Sequence, residues 1–143
     1  MSPKISKELA KHRLEQAKEN LEEAEILYNV KKFKGANNRA YYSIFHSIKA
    51  VLALEPIDFK RHKDVIAYFN QHYISTEIFP KKIRRKVSIA SKIREDSDYD
   101  DEFVVRPEDT LAQIETAKEM IKLTEEYINK KIFNSNKVSL WVL

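Results

Sequence analysis

Arg39, Ser43 and His46 recur at i, i+4 and i+7 inside the apolar stretch 36–54, and no other spacing in the chain offers chemistry so directly. On a helix, Arg39 and His46 fall within about 20° of one another and roughly 10 Å apart along the axis, a gap a long arginine can largely close. A guanidinium presents a planar fork of donors to phosphate oxygens. A neutral imidazole can take a proton from a ribose 2′-hydroxyl and, once charged, return one to the leaving 5′-oxygen. Together they could cleave RNA without a metal, by attack of the 2′-oxygen on the adjacent phosphorus. Arg39 would then hold the scissile phosphate and stabilise its transition-state charge, and His46 would move the protons. Asn38, Tyr42 and Ser43 are the candidates to bind or orient the phosphate. The competing reading makes His46 a core histidine bonded to a neighbouring helix and puts Arg39 in a structural ion pair, for instance with the acidic residues 95–102. Spacing leaves both open.

The segment that carries these residues must be a central helix. Ala40, Tyr41, Tyr42, Ile44, Phe45, Ile48, Val51, Leu52 and Leu54 cover most of its circumference, which calls for packing on several sides. Before it, Ala10, Leu14, Ala17, Leu21, Ala24 and Tyr28 form an amphipathic stripe that predicts a first helix over 6–30, with Ser6 as its N-cap. The only glycine, Gly35, closes the expected break at 30–35, and so short a link makes the first two helices antiparallel. Glu55-Pro56 stops the second helix. A short third helix is expected over 62–72 and a fourth over 81–96, followed by a carboxylate-rich loop at 95–102. Pro107, with Glu108 and Asp109, suits the start of a last long helix reaching about residue 133. The expectation is a single all-α, up-and-down antiparallel bundle of about five helices over 1–133, with an apolar tail at 134–143 that docks or is a cloning remnant.

Composition narrows the remaining classes. A chain of 143 residues can bury a core, and the absence of cysteine excludes disulfides, thiol chemistry and cysteine-based metal sites. No apolar run is long enough to span a membrane and the N-terminus lacks a secretion signal, so a cytoplasmic protein is expected. The net charge of +4 and pI near 9.1 are compatible with a polyanionic partner. Lys82, Arg85 and Lys86 on the fourth helix could track a nucleic-acid backbone, or form a solvated face balanced by residues 95–102. Asp98, Asp100 and Asp101 lack the glycine and glutamate spacing of a calcium loop, and neither a metal nor another cofactor is expected.

Three blocks carry a resemblance: Asn38-Arg39-Ala40-Tyr41-Tyr42-Ser43-Ile44-Phe45-His46, then Lys63-Asp64-Val65-Ile66-Ala67-Tyr68-Phe69, then Ser97-Asp98-Tyr99-Asp100 with Phe103-Val104-Val105. Over about residues 8–130 the chain resembles the prokaryotic HEPN (higher eukaryotes and prokaryotes nucleotide-binding) domain family. The resemblance implies a helical bundle, usually a homodimer, operating in toxin–antitoxin or other defence modules beside a minimal nucleotidyltransferase. It further implies, for active members, a metal-independent ribonuclease whose arginine and histidine come from both subunits across a two-fold axis. Six residues separate Arg39 from His46, the long end of that family's range, and the pair lies in the second helix rather than toward the last. In some paired systems the partner adenylylates a tyrosine two residues beyond the motif histidine; that position is Ile48 here, so that mode is not supported. The alternative from a different class is a non-enzymatic protein that binds a nucleotide, or docks a nucleotidyltransferase, through the same helices.

Overall fold

The computed structural model describes the backbone of residues 3–55 and 57–142, and the side chains of residues 7–55 and 57–132. Among these residues there are five helices and no strand: α1 Pro3–Asn29, α2 Phe33–Leu52, α3 His62–Phe69, α4 Lys82–Tyr99 and α5 Pro107–Val142. One π turn, Asn70–Ile74, continues α3. The all-α bundle expected from periodicity is the architecture found.

Pairs of touching residues set the directions. Along α2, Gly35 meets Leu27, Ser43 bonds Ala17, His46 bonds Asn20 and Lys49 accepts from Arg13, so α1 runs antiparallel to it. Thr110 reaches Phe33 and Ile114 packs with Ala40, so α5 lies parallel to α2. Arg94 meets Tyr42, and Lys86 meets Glu119 while Phe79 meets Tyr127, which turns α4 against both. α2 therefore sits in the middle, as its nearly all-round apolar surface requires. Its Tyr41, Ile44, Phe45, Ile48 and Val51 enter the main core with Val65, Phe69, Ile83, Val87 and Met120.

Against α1 the contact is of another kind. Ala10, Ala17 and Ala24 on α1 and Ala36, Ala40, Ser43, Ser47 and Ala50 on α2 are all fully buried. Side chains this small let two backbones approach closely, and the serines satisfy themselves without water. Ser43 Oγ donates to the Ala17 carbonyl at 2.7 Å, and Ser47 Oγ to the Ser43 carbonyl at 3.0 Å.

Four boundaries differ from expectation. α1 starts at Pro3, so Ser6 lies inside it, and proline suits a first helical turn. Gly35 is not the break; it lies in the first turn of α2, where a Cβ would sit 3.3 Å from Leu27 Cδ1. The left-handed residue of the link is Lys31, at φ 63°. Residues 95–99 are not a loop, because Asp96 and Asp98 pair with Lys92 and Arg94 at i,i+4, and those pairs favour continuing α4 to Tyr99. The backbone of α5 continues helically to Val142, through the stretch read as a tail. The side chains that were expected to dock there lie outside the described residues. No helix among the described residues is long and apolar enough to cross a membrane.

Candidate functional site

One stripe of α2, between the α1 contact and the main core, is only partly covered. Asn38, Tyr42, His46 and Lys49 are partly exposed along it and Arg39 is exposed; together they span about 100° of the helix. The neighbouring helices decide what surrounds each of them.

His46 is held by α1. Its Nδ1 lies 2.9 Å from Asn20 Oδ1. The amide orientation of Asn20 is set by its Nδ2, which donates to Glu23 Oε1 at 3.0 Å. An amide oxygen can only accept, so Nδ1 carries the proton and Nε2 keeps its lone pair. Nε2 has no partner among the described residues. Burial holds His46 below the ordinary histidine value, and the charges of Lys49, Arg13 and His62 act in the same direction while a bond to the Tyr42 backbone opposes them. A neutral ring with a free Nε2 is the form a general base needs. The bland prediction, a histidine bonded to a neighbouring helix, describes Nδ1 alone.

Arg39 sits at one end of the stripe, in a cleft of about 390 Å³ lined also by Lys34, Asn38, Ser97 and Asp98. Its expected ion pair with the acidic stretch does not form among the described residues; the carboxylate of Asp98 lies instead 3.2 Å from Arg94 Nε. Arg39 and His46 share the stripe without touching, and Tyr42 stands between them in sequence. Asn38 lines the cleft beside Arg39. Ser43 is different: its hydroxyl is engaged with α1 and the residue has no exposed surface, so it has no open face toward a substrate within the protomer.

The basic face of α4 is partly neutralised by α5. Lys82 and Lys86 both reach Glu119, at 3.0 and 2.8 Å, and hold its carboxyl below the usual range. For these two the balancing carboxylate is on α5, while within 95–102 Asp96 and Asp98 pair with Lys92 and Arg94. Arg85 is exposed and has no ion-pair partner among the described residues.

Two residues packed beside the stripe escaped the sequence reading. Arg94 of α4 is largely covered. Its guanidinium lies 5.2 and 5.6 Å from the Tyr41 and Tyr42 ring centroids, and Nη2 donates to Tyr42 Oη at 3.2 Å. The signal was present: Ile83, Val87, Ala90 and Arg94 continue a single 4-3-4 stripe, so an arginine occupies a position where an apolar residue was due. His62 opens α3 and stacks on Phe45 with ring centroids 3.9 Å apart. Its Nδ1 lies 3.1 Å from Tyr41 Oη. No sequence spacing links His62 to α2; the α2–α3 turn brings it there.

With the geometry in view, the relatives can be placed. The Putative toxin MJ0142 of Methanocaldococcus jannaschii is 28% identical over 118 residues, 82% of this chain and 80% of that protein. The Putative toxin MJ0605 of the same organism is 35% identical over 86 residues, 60% of this chain and 64% of that one. A UPF0332 protein of Thermotoga maritima is 26% identical over 112 residues, covering 78% and 85%. Residues 10–129, which include every site residue described above, match the HEPN domain, and the chain belongs to the HEPN domain family.

Proposed function

We propose that this protein is a toxin-like, RNA-directed HEPN effector that cleaves single-stranded RNA without a metal, working as a homodimer beside a nucleotidyltransferase antitoxin. The reading rests chiefly on His46: Nδ1 is committed to Asn20, and the lone pair of Nε2 is free on the half-open stripe that Arg39 shares. His46 Nε2 takes the proton of a ribose 2′-hydroxyl. The 2′-oxygen attacks phosphorus, and the guanidinium of Arg39 meets the charge that develops on the phosphoryl oxygens. Asn38 and Tyr42 line the approach. Ser43 supports the site only through the α1–α2 contact that holds His46 against Asn20. The names of two relatives, Putative toxin MJ0142 and Putative toxin MJ0605, support the biological half of the proposal.

The separation of Arg39 from His46 also favours a second reading, a nucleotide bound along the stripe and not turned over. It predicts a nucleotide-dependent rise in melting temperature with no cleavage. The test uses wild type and His46→Ala, purified free of contaminating nuclease, on a single-stranded RNA in the presence of a chelator. Wild type should cleave, and the variant should lose the activity while keeping its helical circular dichroism. Wild type that neither degrades RNA nor inhibits growth when expressed would overturn the nuclease reading.

A further inference from the structure

The end of the stripe opposite Arg39 carries two cations that the arginine–histidine pair does not use. Lys49 follows His46 by less than one turn of α2, about 4.5 Å along the axis, while Arg39 precedes it by about 10 Å. Arg13 comes to the same end from α1. Its Nη1 donates to the Lys49 carbonyl at 3.0 Å, and it lies about two turns along α1 from the Asn20 that holds His46. The Arg13 guanidinium is half-buried, and burial pulls its pKa down. A cation covered in this way ordinarily sits against a carboxylate. Arg13 has no ion pair among the described residues; the charge of Asp58 acts on it without pairing. Its other N–H groups are unspent among those residues. Lys49 is little better matched. Its Nζ lies 3.9 Å from Asp58 Oδ1, at the limit of an ion pair, and that oxygen already accepts from the Phe59 backbone at 2.9 Å. The positive charge of both side chains is felt at His46. Two cations from two helices therefore share one exposed acid, next to an imidazole whose Nε2 is free.

We propose that Arg13 and Lys49 form a phosphate subsite that grips the backbone of a single-stranded RNA on the side of His46 away from Arg39. The subsite rests on the RNA-directed reading given above and deepens it. A strand lying along α2 meets cations on both sides of His46, and only the Arg39 end meets the charge that develops at the scissile phosphate. The planar fork of Arg13 suits phosphate oxygens, and Lys49 adds a point charge. An arriving phosphodiester displaces Asp58 from Lys49, and the exposed carboxylate turns to solvent at little cost.

A strand without 2′-hydroxyls separates this grip from turnover. Binding of a single-stranded 2′-deoxy oligonucleotide is titrated at several salt concentrations, kcat and KM are measured on the matching RNA, and a thermal melt checks the fold of each variant. Lys49→Gln should weaken binding about threefold to tenfold and reduce the salt slope by about 0.7, and Lys49→Arg should restore both. The double variant Arg13→Gln/Lys49→Gln should reduce the slope by about 1.4. On RNA the loss should fall on KM, with kcat within about threefold of wild type, as for a contact made equally in ground and transition states. Asp58→Asn should tighten binding, because it removes the phosphate's competitor. Lys122→Gln, which removes an exposed charge from α5, is the control. Binding and KM of Lys49→Gln equal to those of Lys122→Gln, or a loss confined to kcat, would overturn the subsite and leave the nuclease reading standing. A wild type that binds the oligonucleotide through Lys49 but leaves RNA intact would support the subsite and overturn the nuclease reading.

Discussion

Two faces of α2 carry polar side chains and treat them in opposite ways. On the face toward α1, Ser43 and Ser47 lie among alanines with their hydroxyls bonded to backbone carbonyls and nothing left over. On the open stripe, His46 uses one nitrogen for structure and keeps the other, and Arg39 is exposed beside a cleft. Polarity in a greasy helix does not by itself mark a site. What matters is whether a group's hydrogen-bonding capacity is exhausted inside the protein. By that criterion Ser43 belongs to the scaffold, while His46, Arg39 and His62 have capacity to offer a ligand.

The two faces should fail differently when altered. Of the two, Arg39→Ala should have the larger effect on turnover, because it removes transition-state stabilisation from an exposed position. A loss of about 10²–10³ in kcat on RNA is expected, with unfolding free energy changed by no more than about 0.5 kcal/mol. Paired turnover and denaturant measurements check this. Ser43→Leu should do the reverse. Overfilling the close α1–α2 contact should cost about 1–3 kcal/mol in urea unfolding, and the activity per folded molecule should change far less than with Arg39→Ala.

The histidines add a pH signature. His46 and His62 are both held below the ordinary value of 6.5, chiefly by burial, with Lys49 acting on both, Arg13 on His46 and Arg94 on His62. The unfolded chain therefore binds more protons than the native one in the window just below 6.5. Their contribution to stability is complete above that value and is lost as pH falls through the lower native pKa values. Melting temperature should fall between about pH 7 and pH 5, and the fall should be shallower in the double variant His46→Gln/His62→Gln. A small effect is expected at Arg85. If it meets a phosphate, Arg85→Ala should reduce the salt dependence of RNA binding by about one unit of slope, read by titration at several salt concentrations. The same change at Lys82 should matter less, because Glu119 already engages it.

Much of the fold was legible in the residues because periodicity reports burial directly. The stripes of α1, α2 and α5 and the apolar wrap of α2 predicted the bundle and its central helix. Boundaries set by tertiary contact were not legible. Gly35 reads as a break until Leu27 is seen beside it, and residues 95–99 read as a loop until Asp96 and Asp98 are seen to pair backwards along α4. The candidate site divides in the same way. Arg39 and His46 share one helix, so spacing found them. Asn20, His62 and Arg94 come from α1, α3 and α4, and a one-dimensional pattern does not record which side chains a packed bundle brings together. Arg94 was the exception that could have been caught, as a charge on an apolar stripe.

The ends of the cleaved RNA bear on all of this at once. Digestion of a defined single-stranded oligonucleotide in a chelator, followed by mass spectrometry, should give 2′,3′-cyclic phosphate and 5′-hydroxyl ends with wild type and intact RNA with His46→Ala. Products carrying 5′-phosphates, or cleavage that survives in His46→Ala, would contradict attack by a 2′-oxygen deprotonated at His46.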